Sequence, residues 1–416
     1  MGYYPKLNDI ILAHQRLKGC VTHTSLMRSG YLSRVYGADV MLKREDLQVV
    51  RSYKLRGAYN KIMSLSAEER GRGVVCASAG NHAQGVAFSC NRLDIRGAIF
   101  MPVTTPKQKV DQVGVHGNGN VEIILVGDTF DACAAEAKIY CEKNGMSFVH
   151  PFDDEKIIEG QATVGVEIIE DNDAPIDYLF VPIGGGGLLS GVGSYFKMVS
   201  PETKIIGVEP EGAPSMKAAL YAGEVITLDE VNKFVDGASV KRVGDLNFEV
   251  GKQVLDDIIT VPEGKVCTAI MEMYNREAIV VEPAGALSIA ALGIYADQIK
   301  GKRVVSIVSG GNNDITRFEE IKERSMLHEG VKHYFIVRLP QRAGALKGFL
   351  VEVLGPQDDI TLFEYKKKVS RENGPVLIGI ELHDPADFGA LISRMDNFGV
   401  KYEHLNDKPD LFELVI

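Results

Sequence analysis

The sequence predicts an α/β protein with mostly parallel sheets, followed by a smaller C-terminal domain of a different pattern. Up to Asp314, short apolar strands alternate with helical stretches, which is typical of parallel sheet. The segment 176–183 is an almost unbroken apolar run, as expected of a strand buried on both faces. From about residue 331 the order becomes strand, helix, strand, strand, helix, strand, which is the split ferredoxin-like arrangement.

The composition excludes several classes of protein. The 416 residues are 45% hydrophobic and 25% charged, which indicates a globular protein of about two or three domains. A net charge of -10 leaves no general basic field for nucleic acid or anionic lipid. The six cysteines show no C-x-x-C spacing, so we expect reduced thiols and no zinc site. The sequence shows neither a signal peptide nor a membrane span, so we expect a cytoplasmic protein.

The elements can be predicted in order along the chain. The first 40 residues look helical, and later helices are expected at 53–64, 130–142 and 262–277. Strands are expected at 38–43, 73–77, 95–101, 121–126, 147–150, 176–183, 204–209 and 304–308. A charged helical connector at 317–324 leads to strands at 333–339, 359–367 and 375–382, helices at 344–353 and 385–398, and a closing strand at 411–416. We place the domain boundary between residues 325 and 326, which gives domains 1–325 and 326–416.

The stretch from Ser52 to Ala58, Ser-Tyr-Lys-Leu-Arg-Gly-Ala, contains a candidate Schiff-base lysine, Lys54. Burial among apolar neighbours lowers the pKa of a lysine, so that its amine can lose a proton and attack an aldehyde. Alone this signal is weak, because most lysines are solvated surface charges. Three further stretches downstream strengthen it.

A glycine-rich turn follows the apolar strand 176–183 and precedes a helix. Its residues are Gly184, Gly185, Gly186, Gly187 and Leu188. Glycines let the backbone approach a phosphate, and the helix N-terminus adds a positive dipole. The dinucleotide fingerprint G-x-G-x-x-G fails because its last place is Leu189 or Ser190, and no Gly-Lys-Ser/Thr follows for a Walker A loop. The turn therefore predicts a site for a single phosphate monoester.

Two other strand ends carry polar residues beside glycine. The first is the turn Ser78, Ala79, Gly80, Asn81 and His82, a strand-to-helix turn suited to an anion or a carboxylate. An ordinary capped turn is the alternative. The second is Ser309, which precedes two glycines at the carboxyl end of a buried strand, where α/β sheets bind ligands. A plain strand turn remains the alternative there.

Together, in this order, the four motifs resemble the biosynthetic threonine dehydratases of the type II pyridoxal-phosphate family over essentially the whole chain. The resemblance implies a two-lobed type II core that binds pyridoxal 5'-phosphate. It implies that Lys54 forms the Schiff base with the cofactor and that Tyr53 packs behind the ring. It further implies that Asn81 binds the ring oxygen, that Gly184 to Leu188 hold the phosphate, and that Ser309 faces the pyridine nitrogen.

The resemblance also implies a reaction. L-Threonine would be dehydrated and deaminated to 2-oxobutanoate and ammonia, the first committed step of isoleucine biosynthesis, with L-serine as a lesser substrate. The turn Ser78–His82 would receive the substrate carboxylate. A neutral Ser309 limits electron withdrawal into the ring, which favours β-elimination. Ala79 replaces the second acid/base serine of serine racemases, and Ser215 stands where their divalent-ion site has an acid, so we predict neither racemisation nor a metal.

The C-terminal part resembles a single ACT-like regulatory domain. This implies feedback inhibition by L-isoleucine, and the family implies a homotetramer. The turn Arg342–Leu346 is where ACT-like domains often receive an amino acid. Two alternatives stay open: an amino-acid-sensing protein with a degenerate cofactor core, and another lyase of the same fold, such as a serine dehydratase.

Overall fold

The computed structural model describes residues 2–365, 373–408, 411, 412 and 414. The chain divides into two compact units, Met1–Ile315 and Thr316–Ile416. The boundary that we placed between residues 325 and 326 lies inside the helix Phe318–His328. In the described part of the chain, no helix has the length and apolar character needed to cross a membrane.

The first unit is built on two sheets. Its strands are β1 Leu26–Arg28, β2 Asp39–Arg44, β3 Val74–Ala77, β4 Gly97–Met101, β5 Val121–Leu125, β6 Ser147–Phe148, β7 Tyr178–Pro182, β8 Lys204–Pro210, β9 Asp257–Val261 and β10 Arg303–Val308. Its helices are α1 Leu7–Leu17, α2 Gly30–Tyr36, α3 Lys54–Ser64, α4 Ala67–Arg72, α5 Asn81–Leu93, α6 Lys107–Gly117, α7 Phe130–Asn144, α8 Glu155–Asp171, α9 Gly187–Val199, α10 Ser215–Ala222, α11 Asp245–Val254, α12 Glu263–Glu272, α13 Pro283–Ala290 and α14 Ala296–Ile299.

The larger sheet has six strands in the order β1-β2-β10-β7-β8-β9. Only the first pair, β1 with β2, is antiparallel in this sheet as described; the remaining neighbours run parallel. All five residues of β7 are buried, which confirms the interpretation of its apolar run. The apolar core that packs around the larger sheet includes Leu179, Phe196 and Val305.

The smaller sheet has four parallel strands in the order β5-β4-β3-β6. Its central strands β3 and β4 are fully buried, and their side chains pack against helices such as α5. The two sheets thus form the two lobes of an α/β core. The turns that follow β3, β7 and β10 lie at the carboxyl ends of parallel strands. This is the edge at which α/β sheets bind ligands.

The second unit consists of α15 Phe318–His328, β11 Lys332–Pro340, α16 Ala345–Glu352, β12 Asp359–Tyr365, β13 Asn373–Glu381, α17 Phe388–Phe398 and β14 Lys401–His404. Its four strands pair antiparallel in the order β12-β13-β11-β14. This confirms the predicted strand-helix-strand-strand-helix-strand order. An apolar core that includes Phe335, Phe349 and Ile378 lies between this sheet and its helices.

Two sequence predictions need correction. The closing strand is Lys401–His404, which pairs with β11, and Leu411 and Phe412 are helical, so the prediction of a strand at 411–416 is wrong there. The end of the predicted strand 359–367 lies outside the described residues. The first 40 residues also contain the short edge strand β1 between two helices, where only helix was expected.

Candidate active site

Backbone pairing places Lys54 beside the end of β10. Ser52 forms an isolated antiparallel bridge with Gly310, and the Tyr53 N–H donates to the Ser309 carbonyl at 3.2 Å. Helix α3 begins at the next residue, so Lys54 occupies its first turn. The structure therefore brings together two regions that are more than two hundred residues apart in the sequence.

The Lys54 amine is partly buried. Its Nζ donates to the Pro151 carbonyl at 2.9 Å and lies 5.4 Å from the centre of the Tyr53 ring. Removal from water lowers the pKa of Lys54 to about 8, although the nearby Glu282 carboxylate opposes the shift. Burial also raises the pKa of Tyr53, so its hydroxyl stays protonated.

The glycine turn packs tightly against its neighbours. A Cβ built on Gly185 would lie 2.2 Å from the Phe152 ring, and one on Gly187 would lie 3.0 Å from the Phe152 carbonyl oxygen. Gly186 has φ +95°, a conformation that favours glycine, and precedes the first residue of α9. The Asn247 side-chain amide fixes the turn by donating to the Gly185 carbonyl at 3.0 Å. Packing by itself therefore favours glycine at these positions.

The turn Ser78–His82 opens helix α5. The Gly80 N–H donates to Ser78 Oγ at 3.2 Å, and Asn81 is the first residue of the helix. The backbone N–H groups of a first helical turn have no partner inside the helix, which makes this end suited to a carboxylate. Residues 78–81 are half-buried, so a small ligand can reach them.

The His82 side chain is buried and is anchored to the segment after β6. Its Nε2 lies 2.9 Å from the Val149 carbonyl oxygen, and burial together with the Lys54 charge lowers its pKa to about 3. The imidazole is therefore neutral and donates to Val149.

The Asn81 side chain has partners that the sequence did not reveal. Its Nδ2 donates to Glu282 Oε1 at 2.6 Å, and its Oδ1 accepts from Asn312 Nδ2 at 2.7 Å. Glu282 is buried, and burial together with the Asp236 charge raises its pKa to about 7. The order Val-Glu-Pro at the start of α13, and the two asparagines after Ser309-Gly-Gly, were the available signals.

The segment 149–152, directly after β6, connects these parts. It accepts a hydrogen bond from His82 through Val149 and one from Lys54 through Pro151, and it packs on Gly185 through Phe152. Since Ser309 pairs with the Lys54 segment and Glu282 with Asn81, direct contacts join all the predicted regions. Gly186, at φ +95°, leads the glycine turn directly into the N-terminus of α9, where backbone N–H groups have no partner inside the helix. This arrangement fits the phosphate of pyridoxal phosphate, with the Lys54 amine nearby for its aldehyde.

The fold and site define a pyridoxal-phosphate dependent enzyme. Residues 17–310 match the family described as pyridoxal-phosphate dependent enzyme, and residues 323–415 match the C-terminal regulatory domain of threonine dehydratase. The biosynthetic L-threonine dehydratase of Halalkalibacterium halodurans is 58% identical over 411 residues, which is 99% of each chain. That of Bacillus subtilis is also 58% identical, over 99% of this chain and 97% of the other. The chain belongs to the biosynthetic L-threonine dehydratase family.

Solved structures of relatives share the fold of the first unit. The processed form of threonine deaminase isoform 2 from Solanum lycopersicum is 37% identical with a TM-score of 0.73, covering 78% of this chain and 96% of that one. Maize serine racemase is 32% identical with a TM-score of 0.71, covering 78% and 99%. The α/β class, the pyridoxal phosphate cofactor and the regulatory domain expected from the sequence are thereby confirmed.

Proposed function

We propose that the chain dehydrates and deaminates L-threonine to 2-oxobutanoate and ammonia, with Lys54 as its catalytic residue. The observation that carries this proposal is the partly buried Lys54 amine, whose pKa is lowered to about 8 at the junction of the glycine turn, β10 and the α5 turn. An amine with a pKa near the working pH serves well as a general base. The close similarity to biosynthetic L-threonine dehydratases supports the choice of substrate.

Each part of the site has a role in this proposal. Pyridoxal phosphate, when bound, supplies the electron-withdrawing system that stabilises negative charge at the amino acid's Cα. The glycine turn and the N-terminus of α9 hold its phosphate, Asn81 its ring oxygen and Ser309 its ring nitrogen. The N-terminus of α5 and the residues Ser78–Gly80 bind the substrate carboxylate through N–H groups and the helix dipole.

The proposed reaction balances without an oxidant or a metal. The Cα–H and Cβ–O bonds of threonine break. The Lys54 amine takes up the Cα proton and returns a proton to the departing hydroxyl, which leaves as water. The released unsaturated amine adds water and hydrolyses to 2-oxobutanoate and ammonia. L-Serine would follow the same route to pyruvate, because one methyl group in a pocket changes selectivity by only about 1–3 kcal/mol.

Serine racemisation is the second candidate, because maize serine racemase shares the fold at 32% identity. Racemisation needs an acid/base group on the face of Cα opposite the lysine. Ala79 occupies the turn position where the racemases have serine, and its methyl group cannot carry a proton. We therefore favour elimination.

The regulatory proposal concerns the second unit, whose sequence matches a threonine dehydratase regulatory domain. We propose that L-isoleucine binds this unit and inhibits the enzyme, that the enzyme is a homotetramer, and that it works in the cytoplasm. The turn Arg342–Leu346 between β11 and α16 stays our candidate for effector contact. Light scattering of the purified protein would test the tetramer.

The deciding experiment measures 2-oxobutanoate release from L-threonine by the full chain loaded with pyridoxal phosphate. We expect turnover in the wild type and its loss in Lys54→Ala. Lys61→Ala is the matched control, because Lys61 lies on the same helix but pairs with Asp154 at 2.6 Å. Turnover by Lys54→Ala at the wild-type rate would overturn the catalytic assignment, and D-serine formed from L-serine without keto acid would favour the racemase.

The same assay with L-isoleucine tests the regulatory proposal. Suppressed 2-oxobutanoate release would support isoleucine as the effector. Unchanged release at saturating isoleucine would overturn that assignment and leave the catalytic one intact. Binding of isoleucine by a protein that shows no turnover would favour the sensing alternative.

A further inference from the structure

Glu282 directly precedes helix α13, but its side chain does not cap the helix. It is the N-cap residue, with Pro283 as the first helical residue, and its side chain makes no capping hydrogen bond. An acceptor side chain at this place commonly stabilises a helix by about 1 kcal/mol. The carboxylate turns instead towards Asn81, 201 residues earlier in the sequence, at 2.6 Å.

The packing around Glu282 requires a glycine beside the carboxylate in this orientation. A Cβ on Gly310 would lie 2.3 Å from Glu282 Oε1, so the residue after Ser309 has to be glycine for the carboxylate to fit. The Glu282 backbone N–H donates to the Gly310 carbonyl at 3.2 Å, which ties the start of α13 to the end of β10. The carboxylate is thus built into the site next to Ser309.

A second residue fixes Asn81 from its other side. Asn312 Nδ2 donates to the Val50 carbonyl at 2.8 Å and to Asn81 Oδ1 at 2.7 Å. A carbonyl can only accept, so this contact sets the Asn312 amide as donor and the facing Asn81 atom as its oxygen. The Asn81 nitrogen carries two hydrogens, and Glu282 takes one of them. One N–H of Asn81 therefore remains for a ligand.

We propose that Glu282 is a positioning residue, which together with Asn312 holds the Asn81 amide so that its remaining N–H meets the ring oxygen of the cofactor. This inference rests on the cofactor role proposed above for Asn81. Without Glu282, the Asn81 amide would keep the Asn312 contact at its oxygen but would lose the partner that fixes one N–H. A bound ring oxygen would then meet a less well aligned donor.

The charged groups around Glu282 belong to several elements. Lys54 and Tyr53 lie at the start of α3, and Asp236 lies in the loop before α11, where it pairs with Lys109 of α6. The Glu282 carboxylate nevertheless accepts from two neutral donors, the Asn81 side-chain amide and the Asn312 backbone N–H. Its contribution is therefore geometric, and an uncharged acceptor of the same shape should replace it.

The test measures the affinity of the full-length, cofactor-free chain for pyridoxal phosphate, followed by the visible absorption of the bound cofactor. We expect Glu282→Ala to weaken binding on the order of tenfold, as expected for the loss of one aligned hydrogen bond. Glu282→Gln keeps an acceptor oxygen and should remain within about threefold of wild type by the same reasoning. Glu209→Gln is the matched control, because Glu209 is also buried but accepts from the Met216 and Lys217 N–H groups.

A double-mutant cycle separates positioning from general stabilisation. If Glu282 acts through Asn81, the Glu282→Ala change has no further effect on cofactor affinity in an Asn81→Ala background. Additive losses in the cycle, a Glu282→Ala affinity equal to wild type, or a Glu282→Gln loss as large as that of alanine would each overturn the proposal. Since this titration needs no threonine, its result is independent of the substrate assignment. A wild-type chain that binds no cofactor would instead overturn the proposed function.

Discussion

Glu167 and Glu282 are buried to a similar depth in the first unit, with 2% and 4% of their surfaces exposed, and their surroundings are opposite. Glu167 accepts from Arg56 Nη1 at 2.6 Å and from Lys43 Nζ at 2.6 Å. Burial alone would raise its pKa, but the charges of Arg56 and Lys43 outweigh burial and lower the pKa of Glu167 to about 2. Glu282 contacts the neutral Asn81 amide, and burial raises its pKa to about 7.

The comparison shows that the charge of the hydrogen-bond partner, and not the depth of burial, decides whether a buried carboxyl group is ionised. Arg56 and Lys43 balance Glu45 and Glu167, so the buried cluster of these four side chains has no net charge. The cluster joins β2, the start of α3 and α8. Its member Arg56 lies only two residues after Lys54 in the sequence. Such a cluster is suited to holding an element in place, whereas a carboxyl group that contacts a neutral amide is suited to orienting that amide.

The largest expected effect comes from breaking the charge balance. Arg56→Met leaves Glu45 and Glu167 with Lys43 as their remaining cation, and removal of one member of a buried ion pair costs about 3–5 kcal/mol. We expect a large fall in the unfolding midpoint of the full chain, measured by circular dichroism in denaturant. A loss below about 1 kcal/mol would show that the cluster is not held by charge balance.

The second prediction concerns pH. The folded-state pKa of Glu282, about 7, is above its usual 4.5, so its stabilising contribution is complete below the unfolded pKa and is lost as the pH rises through 7. Relative to Glu282→Gln, the wild type should lose about 2 kcal/mol of stability between about pH 5.5 and 8.5. The measurement is the difference between their thermal midpoints without added cofactor. A difference that does not change with pH would contradict the raised pKa.

The smallest expected effect comes from an ion pair at the surface. Glu249 and Lys252 on α11 lie 2.8 Å apart, and both side chains are exposed. Water and salt screen such a pair, so Glu249→Gln should change stability by less than about 0.5 kcal/mol. This variant is measured in the same denaturant series as Arg56→Met. A cost that approaches that of the arginine variant would remove the contrast between buried and exposed pairs.

The parts of the site that follow strands were predictable because each is marked by local sequence. The glycine turn, Ser309 and the α5 turn all lie directly after apolar strands, and the structure has strands at those places. Glu282 and Asn312 were not recognised, because their partner Asn81 is 201 and 231 residues away. No local pattern encodes such a contact. In the second unit, β14 has the sequence Lys-Tyr-Glu-His, whose weak apolar alternation led us to a more apolar segment instead.

The segment 149–152 has a consequence for how variants of this chain are interpreted. Val149 and Pro151 contact His82 and Lys54 through their carbonyl oxygens, which every amino acid carries. A survey of substitutions would therefore record tolerance at position 151 wherever the backbone keeps its path, whereas the fully buried side chain of Val149 restricts position 149 through core packing. Phe152, whose ring lies against Gly185, would tolerate far fewer replacements. Mutational tolerance at 151 is thus a poor guide to how closely this segment borders Lys54.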